Sequence, residues 1–243
     1  MHQEIVDFFG ICKRVRYGFP PNSCKKALVL APHSDDEAIG CAGTIFQLRS
    51  LGYEVVILLF TLPDDELEDG DGSTGRLQEF FRCLSHYGNC KGMYFHYPDG
   101  DLMDHFEQAK KELRKVIEME EPGIIFTPYI MDSHSDHRCV SLLLASVLSD
   151  RDILVAMYEV WIPILYPNYY IDISQFWEQK QSALICYPSQ LEQYAILEKA
   201  KELNRLRAAL SMRRKVRYIE AFKGMKAQEF IRLVKVLQAE EII

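Results

Sequence analysis

Two short clusters of the chain combine residue types that can do chemistry. The first, His33-Ser34-Asp35-Asp36-Glu37, sets one imidazole beside three carboxylates within five positions. Such a group is costly to hold together without a cation. A plainer explanation is an acidic helix start, since Asp and Glu favour the free N–H groups and positive dipole end found there. His33 and Asp36, spaced H-x-x-D, could ligate one metal while Asp35 points elsewhere. The second cluster, His134-Ser135-Asp136-His137, supplies a third ligand. H-x-D-H alone is a weak signal, and the coincidence of two clusters carries the weight. His33, Asp36 and His137 would form a set of two imidazoles and one carboxylate. Catalytic zinc is held by three protein ligands with a fourth position open. The same donors suit Fe2+ or another divalent metal, so zinc is the expected ion and these are the alternatives.

The residues left over fit an amide hydrolase. Asp35 adjoins a ligand without coordinating, and is placed to take a proton from water as general base and return it to a leaving amine. His134, one helical turn or less from His137, could stabilise the oxyanion of a tetrahedral intermediate. Asp136 could hold the imidazole of His134 in one tautomer. Glu37 is read as structural before catalytic, accepting N–H bonds at the helix start or hydrogen-bonding to a ligand loop. His86, His96 and His105 are read as ordinary core or surface histidines.

Both clusters need the same kind of support. Ala27 to Ala31 is a short apolar run that reads as a buried parallel strand. Pro32 stops it, having no N–H to give to a ladder. A helical pattern over about 37–51 follows, with Ile39, Ile45, Phe46 and Leu48. The second cluster repeats the arrangement: a strand over 123–127, Pro128, then a helix over about 136–148. In open α/β sheets ligands bind at the carboxyl ends of strands. Further strands are expected at 54–61, 93–96, 154–160, 171–173 and 218–222. Helices are expected at 75–87, 104–120, 176–186, 191–210 and 227–238, with a short lead-in helix around Ile5 to Phe9. This alternation predicts an α/β, Rossmann-like fold, a mainly parallel sheet with helices on both faces. No repeat or linker divides the chain, so residues 1–243 are expected to form a single domain. No G-x-G-x-x-G follows the first strand, and the dinucleotide fingerprint is absent.

Composition narrows the classes. With 48% hydrophobic residues the 243-residue chain can bury a large core. Its net charge of −7 argues against binding to nucleic-acid backbones. The basic run Arg213-Arg214-Lys215 reads as a solvated face. No apolar stretch reaches the roughly 18 residues of a membrane span, and the first twenty residues lack a signal-peptide core. Seven cysteines without a C-x-x-C pair read as reduced thiols. A cytoplasmic location is expected, and a homo-oligomer stays open.

The stretch APHSDDEAIGCAGT resembles the first motif of the PIG-L/LmbE-like N-acetylglucosaminyl deacetylases, usually A-H-P-D-D-E followed by G-C-G-G-T. HSDHR resembles their second motif, H-P-D-H. Ser34 and Ser135 replace the usual prolines and Ala42 a glycine, none of them a ligand. Weaker similarity runs through RLQE, YPDGDL, YEVW and RYIEAFKG. The resemblance implies the same fold and the same allocation of roles. It also implies zinc-dependent release of acetate from an N-acetylglucosamine-type sugar or conjugate. It places Arg76 and Asp99 at the sugar hydroxyls, where spacing alone suggests an Arg76–Glu79 surface pair and a turn former. The alternatives are a metal-dependent hydrolase of another amide or ester, and a non-catalytic Rossmann-like sugar-binding module. Substrate specificity is expected from the 63–75 loop, the 97–102 turn, and Trp161, Tyr166, Tyr169 and Tyr170, whose other reading is core packing.

Overall fold

A computed structural model describes residues 15–20, 23–63, 75–88, 90–149 and 152–243. The expected lead-in helix and residues 64–74 of the expected acidic loop lie outside the described residues. In chain order the elements are β1 (Arg16–Tyr17), β2 (Lys26–Ala31), α1 (Asp36–Ser50), β3 (Glu54–Leu62), α2 (Gly75–His86) and β4 (Lys91–Pro98). A 3-10 turn (Leu102–His105) leads into α3 (Phe106–Glu120). Then come β5 (Ile124–Pro128), α4 (Ser135–Val147), β6 (Leu154–Tyr158) and β7 (Tyr169–Asp172). The chain ends with α5 (Trp177–Ile185), α6 (Pro188–Gln193), α7 (Ile196–Leu210), β8 (Ile219–Lys226) and α8 (Ala227–Ala239).

Eight described strands form one sheet in the order β1-β7-β8-β6-β5-β2-β3-β4. From β6 to β4 every pairing is parallel, while β8 runs antiparallel to both β6 and β7. Strand β2 pairs with β3 on one side and β5 on the other. The chain therefore winds from β2 through β3 to β4, then crosses to β5 and winds the opposite way. This makes a topological switch point beside β2, where the loops leaving β2 and β5 diverge and open a crevice.

The central strands are apolar without alternation because both faces are covered. Ala27, Val29 and Ala31 of β2 pack with Ala38, Ile39 and Ile45 of α1 in one core. Leu28 and Leu30 pack with Leu113, Val140 and Phe230, from α3, α4 and α8, in the other. Helix α1 lies very close to the sheet. A Cβ on Gly40 would stand 2.2 Å from the Tyr158 ring, and one on Gly43 would stand 2.6 Å from Ile173. Tyr158 in turn donates to the Leu30 carbonyl at 2.7 Å.

A buried ion pair fixes α1 from beneath. Lys180 Nζ donates to Glu220 Oε1 at 2.6 Å and to the Ile39 carbonyl at 2.7 Å. The Glu220 carboxylate accepts from the Gly43 and Thr44 N–H groups at 3.0 and 2.7 Å. A second buried pair, Arg207 with Glu159, braces the segment after β6. Arg207 also donates to the Ile164 carbonyl, and Glu159 accepts from the Ile164 N–H.

Strand β4 spans Lys91–Pro98 where 93–96 was expected, and three other elements differ from the sequence expectation. The expected helix over 191–210 is split, because Tyr194 takes an extended conformation (φ −136°, ψ 144°) between α6 and α7. The last strand is longer than expected, reaching Lys226, and is antiparallel. Strand β1 is only two residues long and carries no sequence signal.

Candidate active site at the sheet switch point

Pro32, just after β2, is tied to the neighbouring strand, its carbonyl accepting from both the N–H and the Oγ1 of Thr61. The next residues turn sharply into α1. Asp35, at the N-cap of that helix, has φ 134°. A non-glycine residue in this region carries strain of order 1–3 kcal/mol, which persists only when the surroundings fix it. On the neighbouring strand exit, His134 caps α4: its Nδ1 accepts from the Asp136 N–H at 3.2 Å.

The two exits bring His33, Asp36 and His137 together. His33 Nδ1 lies 3.2 Å from His137 Nε2 and 3.3 Å from Asp36 Oδ2, and His137 Nε2 lies 3.2 Å from the same oxygen. Donor atoms about 2.0–2.1 Å from a tetrahedral zinc stand roughly 3.3 Å from each other. This nearly equilateral triangle thus has the edge a small cation requires. Two further groups share His33, one with His134 and His137 and one with Asp99 and Asp136. Both are partly engaged elsewhere. His134 Nδ1 accepts its cap bond, and the Asp136 carboxylate accepts from the Gly100 and Leu102 N–H groups at 2.8 and 3.3 Å.

The electrostatics also ask for positive charge here. Burial alone would raise Asp36 and lower the histidines. Instead, His137 and His33 hold the Asp36 carboxyl far below the usual range. Against the opposing effect of burial, Asp36 and Asp132 push His137 up to about 9. Likewise Asp136, Asp36 and Asp99 raise His33 well above an ordinary imidazole, overcoming burial. The donor set therefore draws protons inward, and a divalent cation would satisfy it without them.

Around the triangle, burial and then the charge of Asp36 raise the Asp35 carboxyl well above the usual range. His134 moves the other way: burial, then His33 and His137, lower its pKa. With Nδ1 accepting the cap bond, the neutral ring carries its proton on Nε2. Sequence neighbours are not the partners of the Asp136 side chain. Its carboxylate faces His33 Nε2 at 3.1 Å, not the His134 ring, because it reaches across from α4 to the exit of β2. Asp99 Oδ1 also lies 3.1 Å from His33 Nε2, and its other oxygen accepts from Arg76 at 3.0 Å. Arg76 thus pairs with Asp99 and not Glu79, which accepts from Ser189. His33 and then the desolvation-opposed pull of Arg76 bring Asp99 down to about 2.

Sequence reasoning passed over Asp132. It is buried, with Oδ1 accepting from the His134 N–H at 3.1 Å and Oδ2 from the Trp161 and Ile162 N–H groups at 3.0 and 3.4 Å. Oδ1 also lies 3.4 Å from His137 Nδ1, within reach but misaligned for a hydrogen bond. An aspartate two residues before an H-x-D-H cluster, at a strand exit, was the available signal. Glu37 turns away from the cluster into the core, where one oxygen accepts from Tyr187, Tyr87 and the Cys83 thiol. Tyr169 and Tyr170 are core residues on β7, which leaves the partly buried Trp161 and the exposed Tyr166 of the expected aromatic set. No described helix is long and apolar enough to cross a membrane.

The comparisons with known proteins agree with this geometry. A family model described as "PIG-L: GlcNAc-PI de-N-acetylase" matches residues 28–148, the segment that carries both clusters. A diacetylchitobiose deacetylase of Thermococcus kodakarensis is 32% identical over 193 residues, spanning 70% of this chain and 72% of that protein. The structure of N,N'-diacetylchitobiose deacetylase from Pyrococcus horikoshii superimposes with a TM-score of 0.68 at 27% identity, covering 85% of each chain. A 4-carboxy-2-hydroxymuconate hydratase from Pseudomonas putida shares the fold with a TM-score of 0.65. At 18% identity it covers 82% of this chain and 95% of its own. The fold therefore hosts other reactions, and the two clusters, not the sheet, carry the assignment. This chain belongs to the PIG-L family, whose members are metal-dependent N-deacetylases.

Proposed function

We propose that this protein removes the acetyl group of an N-acetylglucosamine-type sugar or conjugate, with a divalent metal, zinc first, held by His33, Asp36 and His137. The observation that carries the reading is the triangle of donor atoms with 3.2–3.3 Å edges at the switch point. A cation at that triangle supplies the Lewis acidity that activates water and polarises the amide carbonyl.

The remaining steps belong to side chains. Asp35, held beside the ligands by the strained turn, takes the proton from the attacking water and delivers it to the departing amine nitrogen. Its raised pKa brings it closer to the pH at which such a transfer is efficient. His134, neutral and protonated at Nε2, donates to the carbonyl oxygen as negative charge grows on it. Asp136 accepts from His33 Nε2 and so keeps Nδ1 unprotonated toward the ligand triangle. The Arg76–Asp99 pair, half-buried beside His33, offers a donor and an acceptor to sugar hydroxyls. The products are acetate and a free amino sugar.

The test is acetate release from N-acetylglucosamine, N,N'-diacetylchitobiose and larger N-acetylglucosamine conjugates, with metal-loaded and chelator-treated protein. Metal-dependent release from any of them supports the reading. If other amides or esters are cleaved while no N-acetyl sugar reacts, the substrate class is wrong. If nothing is cleaved by protein containing about one metal per chain, the protein is a binding module.

A further inference from the structure

One cation near the site is unlike the rest. Lys199, in the first turn of α7, places its Nζ out of contact with solvent and without a hydrogen-bond acceptor among the described residues. Its one neighbour of note is the Trp161 ring, whose centroid lies 3.8 Å away. The Trp161 backbone N–H donates to Asp132, the carboxylate that also stands beside His137. Tyr194 meets the indole edge-on at 5.3 Å and is itself 45% exposed. Lys199 therefore lies on a short path of contacts that runs from beside His137, through Asp132 and the Trp161 backbone and ring, to the surface at Tyr194.

The Trp161 face offsets part of the cost of burying this ammonium, but it gives the N–H donors no acceptor atom. Each buried donor without an acceptor costs stability, and native proteins keep few of them. Among the described residues the other buried cations each have an acceptor: Lys180 has Glu220 and the Ile39 carbonyl, Arg207 has Glu159 and the Ile164 carbonyl, and Lys223 has the Tyr166 carbonyl. Lys199 is near enough to Asp132, Asp36 and Asp35 to feel their charge, although burial still lowers its pKa overall. It thus lacks acceptor atoms more than it lacks counter-charge. The same three carboxylates would repel an anionic group brought up to it. A neutral oxygen is the acceptor that fits.

We propose that Lys199 is a specificity-determining residue that donates to a hydroxyl or acetamide oxygen of the sugar unit attached to the reacting N-acetylglucosamine. The inference rests on the deacetylase reading and adds to it the residue that tells a disaccharide from a monosaccharide. Trp161 covers the ammonium and Tyr194 packs edge-on against that ring, so the second sugar reaches the ammonium when the indole turns aside, and it then packs against the displaced ring. The acetamide under attack is served by Asp35 and His134, which cannot see this second unit. A truncated substrate forfeits the binding energy that the second unit brings to the transition state.

The experiment compares wild type, Lys199→Met and Lys199→Arg, all metal-loaded, on N,N'-diacetylchitobiose and on N-acetylglucosamine, with thermal melting of each protein. Met keeps the apolar stem and contact with Trp161 and removes the unused donors. In Lys199→Met the ratio of kcat/KM for disaccharide over monosaccharide falls about 10-fold or more, the size of one hydrogen bond from a charged donor. Its Tm stays level or rises by about 2–4 °C, as expected when a residue kept for function at the expense of stability is replaced. Lys199→Arg recovers part of the ratio. If wild type deacetylates both sugars and the ratio does not move in Lys199→Met, this inference alone is overturned. A Tm lowered by about 5 °C or more also overturns it, because Lys199 is then a brace. If wild type deacetylates no N-acetyl sugar, the deacetylase reading falls and takes the inference with it.

Discussion

Helix α1 rests on buried charge at two places, and the two are built in opposite ways. Along its middle, Lys180 and Glu220 neutralise each other and spend their remaining valence on the Ile39 carbonyl and the Gly43 and Thr44 N–H groups. At its N-terminus, Asp35 and Asp36 crowd against His33, His137 and Asp132. One carboxylate is raised and its neighbour depressed, and the backbone at Asp35 is strained. The first group is self-contained and needs nothing further. The second has more negative charge than its own groups can settle. Buried charge that closes on itself is a brace, whereas buried charge with valence left over marks chemistry. Each prediction below attacks or tightens that distinction.

The largest effect is expected on turnover. Asp35→Asn keeps the size of the side chain and removes the proposed base. Turnover should fall about 10²–10⁴-fold, the usual contribution of a general base, while metal content stays near one per chain. Melting should not drop, because one of two adjacent buried negative charges is gone. Activity within a few-fold of wild type would take Asp35 out of the proton-transfer role and break the comparison at its reactive end.

The brace should respond in the opposite sense. Glu220→Ala leaves the Lys180 ammonium buried and unpaired, which typically costs about 3–5 kcal/mol. For a chain of this size that lowers Tm by roughly 6–20 °C, while acetate release per folded molecule is unaffected. Replacing both partners, Lys180→Met with Glu220→Leu, should recover most of the loss, since an apolar pair can stand in for a buried ion pair. A single replacement that melts like wild type would mean the pair does not brace α1.

The pH response of metal-stripped protein should come from the site. The folded pKa of His137, about 9, lies above its unfolded value of about 6.5. Its stabilising contribution is therefore fully present below pH 6.5 and is lost as pH rises through 9. Tm of chelated protein should fall by several degrees across that window. Metal-loaded protein should show the reverse trend at the acid end, because a ligating nitrogen must lose its proton. A flat Tm for chelated protein between pH 6.5 and 9 would show that Asp36 and Asp132 do not hold a proton on His137.

The two regions also differ in how far they could be read from residue order. Both clusters were legible, since each follows a five- or six-residue apolar strand closed by proline, and strands of that kind end at a ligand-binding edge. The partners within the site were less legible. Spacing along a helix names neighbours three or four positions away, so it offered Asp136 to His134 and Glu79 to Arg76. The actual partners, His33 and Asp99, come from other strand exits, and their meeting depends on how β2 is flanked by β3 and β5. The brace was not legible at all. Lys180 lies in the polar run WEQKQS and Glu220 in an isolated final strand, and both look solvated until β8 folds back antiparallel against β6 and β7.

Asp132 sits on the border between the two kinds of buried charge, and it gives the smallest and most discriminating effect. As a brace it holds the His134, Trp161 and Ile162 N–H groups; as part of the site it faces His137 Nδ1 from 3.4 Å. An orienting carboxylate fixes the tautomer of a ligating imidazole and raises its basicity. Asp132→Asn keeps the shape but has only one oxygen for acceptors placed on both sides. Either Trp161 and Ile162 or His134 and His137 must then face an amide NH2. If the contact with His137 tightens when metal is present, affinity for zinc should fall about 10–100-fold, while kcat at saturating metal stays close to wild type. Competition with a chromophoric chelator measures the first quantity, and a metal titration of acetate release measures the second. Zinc affinity unchanged within about 3-fold, together with a lowered Tm, would assign Asp132 wholly to the brace. The His137 ring would then owe its orientation to packing against His33 and His134, whose centroids lie 5.2 and 5.1 Å from its own.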